Sequence, residues 1–374
     1  MKCKLSDICD FRKGKVDVSK LTLKTYISTE NMLPNKGGIT DASSLPTIQL
    51  TQEYKKGDVL ISNIRPYFKK VWRAKYDGGC SNDVLVFQGN SNIDGDFLYY
   101  VLANDDFFDY SMATSKGTKM PRGDKASIMQ YEVPVFDVDT QRKIASVLRC
   151  LDEKIELNSV INKNLFEQVQ TIYKDRYINL SPFDRTIPVG WHVGTASEII
   201  EFHDSKRIPL SSREREKLDK IYPYYGATSM MDYVDHYLFD GIYLLLGEDG
   251  TVMDDKGFPI LQYVEGKFWV NNHAHIITGK GGFTVELLYL LFSLTNVKSS
   301  VTGAVQPKIS QTNLNKVPVL IPNEDEIKSF DSLIQPFFAQ IRNLKAENDR
   351  LATIRDTLLP KLMSGEIDVS GIKL

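Results

Sequence analysis

Two short polar runs in the second half of the chain carry side chains suited to acid–base or metal chemistry: GEDG at 247–250 and NNHAH at 271–275. If the second run is a strand, His273 and His275 alternate onto one face. With Glu248 or Asp249 they then offer the imidazole and carboxylate ligands that a divalent ion takes. On that reading the protein is a metal-dependent hydrolase using Glu248, His273 and His275. Against it, no third histidine stands at ligand spacing, and the related run SNDVL at 81–85 has no histidine. The expectation is therefore no metal and no catalytic residue in this chain, with Asn271, Asn272 and His273 hydrogen-bonding one another or base edges. Walker lysine, GxSxG and Asn-Pro-Pro-Tyr type motifs are absent, and GKGGFT at 279–284 ends in threonine where a dinucleotide loop needs a small third glycine.

The densest cationic run, RPYFKKVWRAK at 65–75, contains no acid: Arg65, Lys69, Lys70, Arg73 and Lys75 interleave with Tyr67, Phe68 and Trp72. Arginine and lysine neutralise phosphates or fork onto guanine edges, while aromatic faces support bases or pack a loop. A solvated strand-loop-strand with inward aromatics is the plainer alternative. The loop SKGTKMPRGDK at 115–125 adds Lys116, Lys119, Arg122 and Lys125 around Gly117 and Gly123, glycines that let a backbone approach phosphate closely. Its counterpart TGAVQPKIS at 302–310 keeps Lys308 as its one charge, beside Gln306. Lys13 and Lys15 in the first half, and Lys206 and Arg207 in the second, complete the candidate DNA contacts. Seven carboxylates between 232 and 255 form a stretch that cannot all face phosphate.

These loops recur in order. LSDICDF at 5–11 matches ASEIIEF at 196–202, GDVLIS at 57 matches GIYLLL at 241, CSNDVLVF at 80 matches VNNHAHII at 270, GTKMP at 117 matches GAVQP at 303, and VPV at 133 recurs at 317. Five matches at a nearly constant offset indicate a tandem duplication. Short β-branched and aromatic runs bounded by Gly, Asn and Asp, such as VLISNI and DVLVFQG, read as strands. FLYYVLANDDFFDYSMAT and VELLYLLFSLTNV read as short helices.

Each repeat ends in a long helical pattern. From Leu151 the positions Leu151, Ile155, Asn158, Asn162, Leu165, Val169 and Ile172 alternate steps of four and three, and Ile334, Phe337, Ile341, Leu344, Asn348, Leu351 and Leu358 do the same. Buried asparagines cost stability but fix register, which favours two paired helices over a stripe on a globular core. Pro336 predicts a break near Gln335, with a fresh start at the proline. The tail after Pro360 shows no pattern. The reading is α+β: two tandem mixed α/β domains at 1–138 and 181–322, separated by two long antiparallel coiled-coil helices at 139–180 and, with a tail, 323–374.

A net charge of -2 neither advertises nor excludes nucleic acid, because local clustering decides phosphate contacts. Four cysteines without a CxxC pair argue against a zinc ribbon or disulfide framework, and no run is long enough to span a membrane. A cytoplasmic protein with reduced thiols is expected.

Through GDVLISNIRPYFKKV, IPVGW at 187–191, GEDGTV followed by NNHAHII, and QRKIASVLRCLDEKIELN, the whole chain resembles the specificity subunit of type I restriction-modification systems. The resemblance implies two target-recognition domains that read a bipartite duplex, and helices that dock two methyltransferase subunits, with restriction translocase subunits joining them. It also implies that S-adenosylmethionine, ATP and magnesium belong to those partners, this chain being non-catalytic alone and holding no cofactor. A helix of about 35 residues rises roughly 50 Å, more than the ~34 Å turn between same-face sites on B-DNA. A coiled-coil scaffold without DNA contacts is a further alternative.

Overall fold

Strand patterns bounded by turn residues, and helical patterns free of them, yield the elements expected, in a computed structural model that describes residues 2–117, 120–303 and 305–373. Contacts divide the chain into two units, Met1–Asn158 with Ala346–Leu374, and Ser159–Lys345. The strands that matter to function are β1 (Cys9–Phe11), β2 (Val59–Ser62), β3 (Val71–Arg73) and β4 (Val84–Gly89) in the first unit, and β5 (Ile200–Phe202), β6 (Phe239–Gly247), β7 (Leu261–Val270) and β8 (Ala274–Gly279) in the second. The helices are α1 (Gly95–Ala103), α2 (Asp105–Ala113), α3 (Val138–Tyr173), α4 (Val285–Ser293) and α5 (Glu324–Ser364).

In the first unit β1, β4, β2 and β3 lie side by side in that order, all antiparallel. Strand periodicity sends Val59 and Ile61 into a core with α1 and α2, and Leu60 into a separate core with Tyr54 and Trp72. A second four-stranded sheet carries the Leu50–Tyr54 and Gly78–Cys80 strands. Asp94 caps α1 through the Asp96 and Phe97 amides, and Asn104, in extended conformation, ends α1 and caps α2.

In the second unit the sheet runs β5, β8, β6, β7 and then two short strands, Tyr222–Tyr225 and Met230–Val234. Here Leu244 and Leu246 enter one core and Leu245 the other. Val59 pairs with Phe87 and Leu244 with Ile277, so Val59 corresponds to Leu244, at an offset of 185. Laying GDVLIS over GIYLLL is thus one residue out of register, which would have put every side chain on the wrong face.

Both long helices are continuous. In the first unit the Asn158 amide, fully buried, donates to Glu347 and to Asn348 Oδ1 at 2.8 and 2.9 Å, and Arg355 reaches Asp152 at 2.8 Å. In the second, Phe166 lies edge-on to Phe338 and Arg176 is bidentate to Glu326. Within each unit the segments of α3 and α5 are therefore antiparallel. Asn348 donates to the Ile155 carbonyl at 3.2 Å and Asn162 to the Ile341 carbonyl at 3.3 Å, two bonds 186 positions apart. All the seam positions are buried or half-buried.

The expected break at Pro336 does not occur, nor does the chain change course at Pro360: α5 runs through both. Each proline removes one helical hydrogen bond. Around Pro336, however, Phe330, Ile334 and Phe338 are at most 1% exposed, and beside Pro360 Leu359, Leu362 and Met363 are buried in the first unit's core, so packing outweighs the loss. The tail adds Val369 to that core.

Candidate nucleic-acid interface

The ends of β2 and β6 carry the same main-chain frame. In the first unit Asn63 N donates to Asp83 O at 2.8 Å, Arg65 N to Pro121 O at 2.8 Å, and Lys116 and Arg122 exchange both backbone bonds at 2.9 and 3.0 Å. In the second, Glu248 N donates to His273 O at 2.9 Å, Gly250 N to Pro307 O at 2.9 Å, and Thr302 and Lys308 exchange bonds at 2.9 and 2.8 Å. Gly117 and Gly303 turn the two loops at φ 94° and 88°, where a side chain would be strained. The frame therefore brings the 65–70 turn beside residues 116–117 and 120–123, and the 248–250 turn beside 302–303 and 305–308.

The side chains on that frame differ. Arg65, exposed, has no ion-pair partner among the described residues, and Tyr67 and Phe68 stand 48% and 37% exposed with ring centroids 4.7 Å apart. Lys69 pairs with Asp105 at 2.8 Å, Lys116 with Asp124, and Arg122 with Asp83 at 3.2 Å, while Lys13 and Lys15 are exposed. The Lys116 ammonium and the Ser127 amide hold the Asp124 carboxyl down at about 2. Lys119 lies outside the described residues. The structure turns two candidates of this run inward. Lys70 donates to the Thr29 carbonyl at 2.6 Å, with its pKa lowered by burial, and the Arg73 guanidinium sits on Asp96. Trp72 is buried, so the run mixes the two alternatives its sequence left open.

In the second unit Asn272, His273, Gln306, Lys308 and Lys206 are exposed. Arg207 and Asn271 are not. Arg207 donates to Glu248 at 2.6 Å and to the Ala274 carbonyl at 2.7 Å, and the side-chain Oδ1 of Asn271 accepts from the His273 backbone amide at 2.8 Å, so both shape the edge from within. Pairing accounts for part of the acidic stretch: Asp232 takes Arg215 and Lys220, Asp235 takes His236, Asp249 takes His273, and Glu248 takes Arg207 and Lys308.

The proposed ligand set Glu248, His273 and His275 does not converge. His273 turns to Asp249 at 2.5 Å, whereas His275, 1% exposed, meets Asp204 at 2.6 Å. Asp204, Glu248 and His275 do gather their ligand atoms within 4.8 Å. Yet both ring nitrogens of His275 are engaged within the protein, Nε2 with the Ile309 carbonyl at 2.8 Å and Nδ1 with the Asp204 carboxylate at 2.6 Å. Burial alone would raise the carboxyls of Asp204 and Glu248. The pKa of each is instead lowered, Asp204's chiefly by His275 and the Ile276 amide, Glu248's chiefly by Arg207 and His275. The cluster is an ion-pair network that ties the 204–207 turn, β8 and residues 308–311 together. Sequence reading missed Asp204, whose partners beyond neighbouring Arg207 lie 71 to 107 positions away.

The same main-chain frame thus occurs twice, carrying differently furnished edges. The family model of the type I restriction modification DNA specificity domain matches residues 1–167 and again 188–353, and the chain belongs to that family. It is a specificity subunit, the non-catalytic, target-recognising member of a multisubunit system. The MjaIX specificity subunit of Methanocaldococcus jannaschii is 25% identical over 354 residues, covering 85% of this chain and 79% of that protein. The HindI specificity subunit of Haemophilus influenzae is 22% identical, covering 97% and 98%. The crystal structure of the S subunit of a type I restriction-modification system from M. genitalium shares the fold, with a TM-score of 0.53 at 18% identity over 97% of this chain and 96% of that one.

Proposed function

We propose that each unit reads one half of a bipartite duplex target through its β2 or β6 edge, and that the long helices dock two methyltransferase subunits, which restriction translocase subunits can join. The observation that carries this is the main-chain frame occurring twice with different side chains. Arg65, Tyr67, Lys116, Lys119 and Arg122, with Lys13, Lys15 and Lys69, serve one half-site. Asn272, His273, Gln306 and Lys308, with Lys206, serve the other. Apolar side chains left uncovered on the long helices, Leu157 and Val160 on α3 and Leu333 and Ile354 on α5, support partner docking. S-adenosylmethionine, ATP and magnesium reside in the partners, and the assembly works in the cytoplasm, where the DNA is. Replacing residues 196–316 with the equivalent domain of a related subunit tests the reading by mapping methylated bases across the genome. One half of the modified sequence changes and the other stays; a change in both halves defeats it.

A further inference from the structure

Lys36 takes no part in the contacts above, yet its side chain is only 6% exposed, and its ammonium lies 3.0 Å from Asp105 and 3.2 Å from Asp356. Asp105 opens α2 and also receives Lys69. Asp356 lies on α5 beside Arg355, which reaches back to Asp152 on α3. The backbone joins the same segments: Asn35 N donates to Phe68 O at 2.8 Å and Lys36 N to Lys69 O at 2.9 Å. Asn35, Lys36, Arg65 and Lys69 all have left-handed φ, at 53°, 61°, 51° and 50°. Asparagine visits that conformation readily, whereas for arginine and lysine it is uncommon and marks a backbone held by its surroundings. Burial would raise the Asp105 carboxyl, but Lys69 and Lys36 hold it low, so the carboxylate stays charged between them.

We propose that Lys36 is a positioning residue for DNA recognition by the first domain: it clamps the 65–69 turn to α2 and α5, so that Arg65 and Tyr67 meet DNA in a turn already formed. The inference rests on the reading of that turn as a DNA contact. Left to itself, a turn bearing Arg65, Lys69 and Lys70 would spread by mutual repulsion, and ordering it on binding would weaken affinity. Lys36 spends its charge on two carboxylates and has none left for phosphate.

The test is equilibrium binding of the full chain, in its assembled complex, to a duplex carrying its mapped target across a salt series, comparing Lys36→Met with Arg65→Ala. Arg65→Ala flattens the slope of log K against log salt by about 0.9. Lys36→Met weakens binding roughly three- to tenfold at every salt concentration and leaves the slope alone, and Lys36→Arg recovers most of the loss. If Arg65→Ala changes neither affinity nor slope, the DNA reading of the turn fails and this inference with it. If Arg65→Ala behaves as stated while Lys36→Met binds like the parent, or flattens the slope, the clamp alone is overturned. Should Lys36→Met not fold, Asp356→Asn, at a carboxylate 44% exposed, gives the same readout: a salt-independent loss supports the clamp and parental binding overturns it.

Discussion

Replacing His275 with phenylalanine separates an ion-pair network from a metal site. The slightly larger ring opens no cavity, but two hydrogen bonds go: one to the Asp204 carboxylate at 2.6 Å and one to the Ile309 carbonyl at 2.8 Å. A bond to a charged group contributes about 1.5–3 kcal/mol and a neutral one about 1 kcal/mol. Asp204 keeps the Ile276 amide and Gln311, while the Ile309 carbonyl loses its side-chain donor inside a region 1% exposed at His275. The expected loss is about 3–4 kcal/mol, confined to the second unit. Hydrogen–deuterium exchange reads this locally: amides of β8 should exchange roughly 100- to 1000-fold faster, while those of the corresponding strand β4 keep their rates. Chelator treatment of the parent protein should leave β8 protected. A chelator effect as large as the substitution would show that a metal holds the cluster. A change in β8 below about tenfold would mean that the network contributes little, and either result refutes the reasoning.

Among the cations of the 65–75 run, Arg65→Ala should lower the salt dependence of duplex binding by about 0.9, whereas Arg73→Ala, whose guanidinium already sits on Asp96, should leave the slope unchanged and lower the thermal midpoint instead; equal slopes for both would contradict the assignment. The Arg176 guanidinium, aided by the Tyr177 hydroxyl, holds the Glu326 carboxyl below its ordinary value of 4.5. Because the folded-state value is depressed, this stabilisation is complete above about pH 4.5 and is lost as the pH falls through the folded value. Melts between pH 6 and 3 should therefore show a steeper acid loss for the parent than for Glu326→Gln, and parallel curves would exclude that contribution.

Much of this was legible in the residues. Period-two runs such as VLIS, the seam from Leu151 to Ile172 and the ordered repeats were local signals, and local signals survive into the fold. The edge was harder to read, because the fate of a charge depends on what long-range folding brings to it. Arg65 and Arg73 look alike in sequence, yet Asp96 on α1 reaches only the second. Arg207 reads as a surface cation but is enclosed by Glu248 and the Ala274 carbonyl. Lys36, in the turn PNKGG, gives no hint of burial, since Asp356 lies 320 positions away. Pro336 misled for the opposite reason: a reliable local breaker was overridden by the aromatic and aliphatic packing of Phe330, Ile334 and Phe338.

The frame around Arg65 and Gly250 is made by amide and carbonyl groups, which every residue except proline supplies in full. On the reading proposed above, substitution at its rim can therefore rewrite what an edge reads without touching what holds it in place. Asp83 and His273 occupy one such position, Arg122 and Lys308 another, and the geometry beneath them is the same to within 0.2 Å in its hydrogen-bond lengths. Such a molecule can acquire a new address by a few exposed exchanges in one half while the other half keeps its own, so that novelty arises by recombining independent letters rather than by redesigning the text.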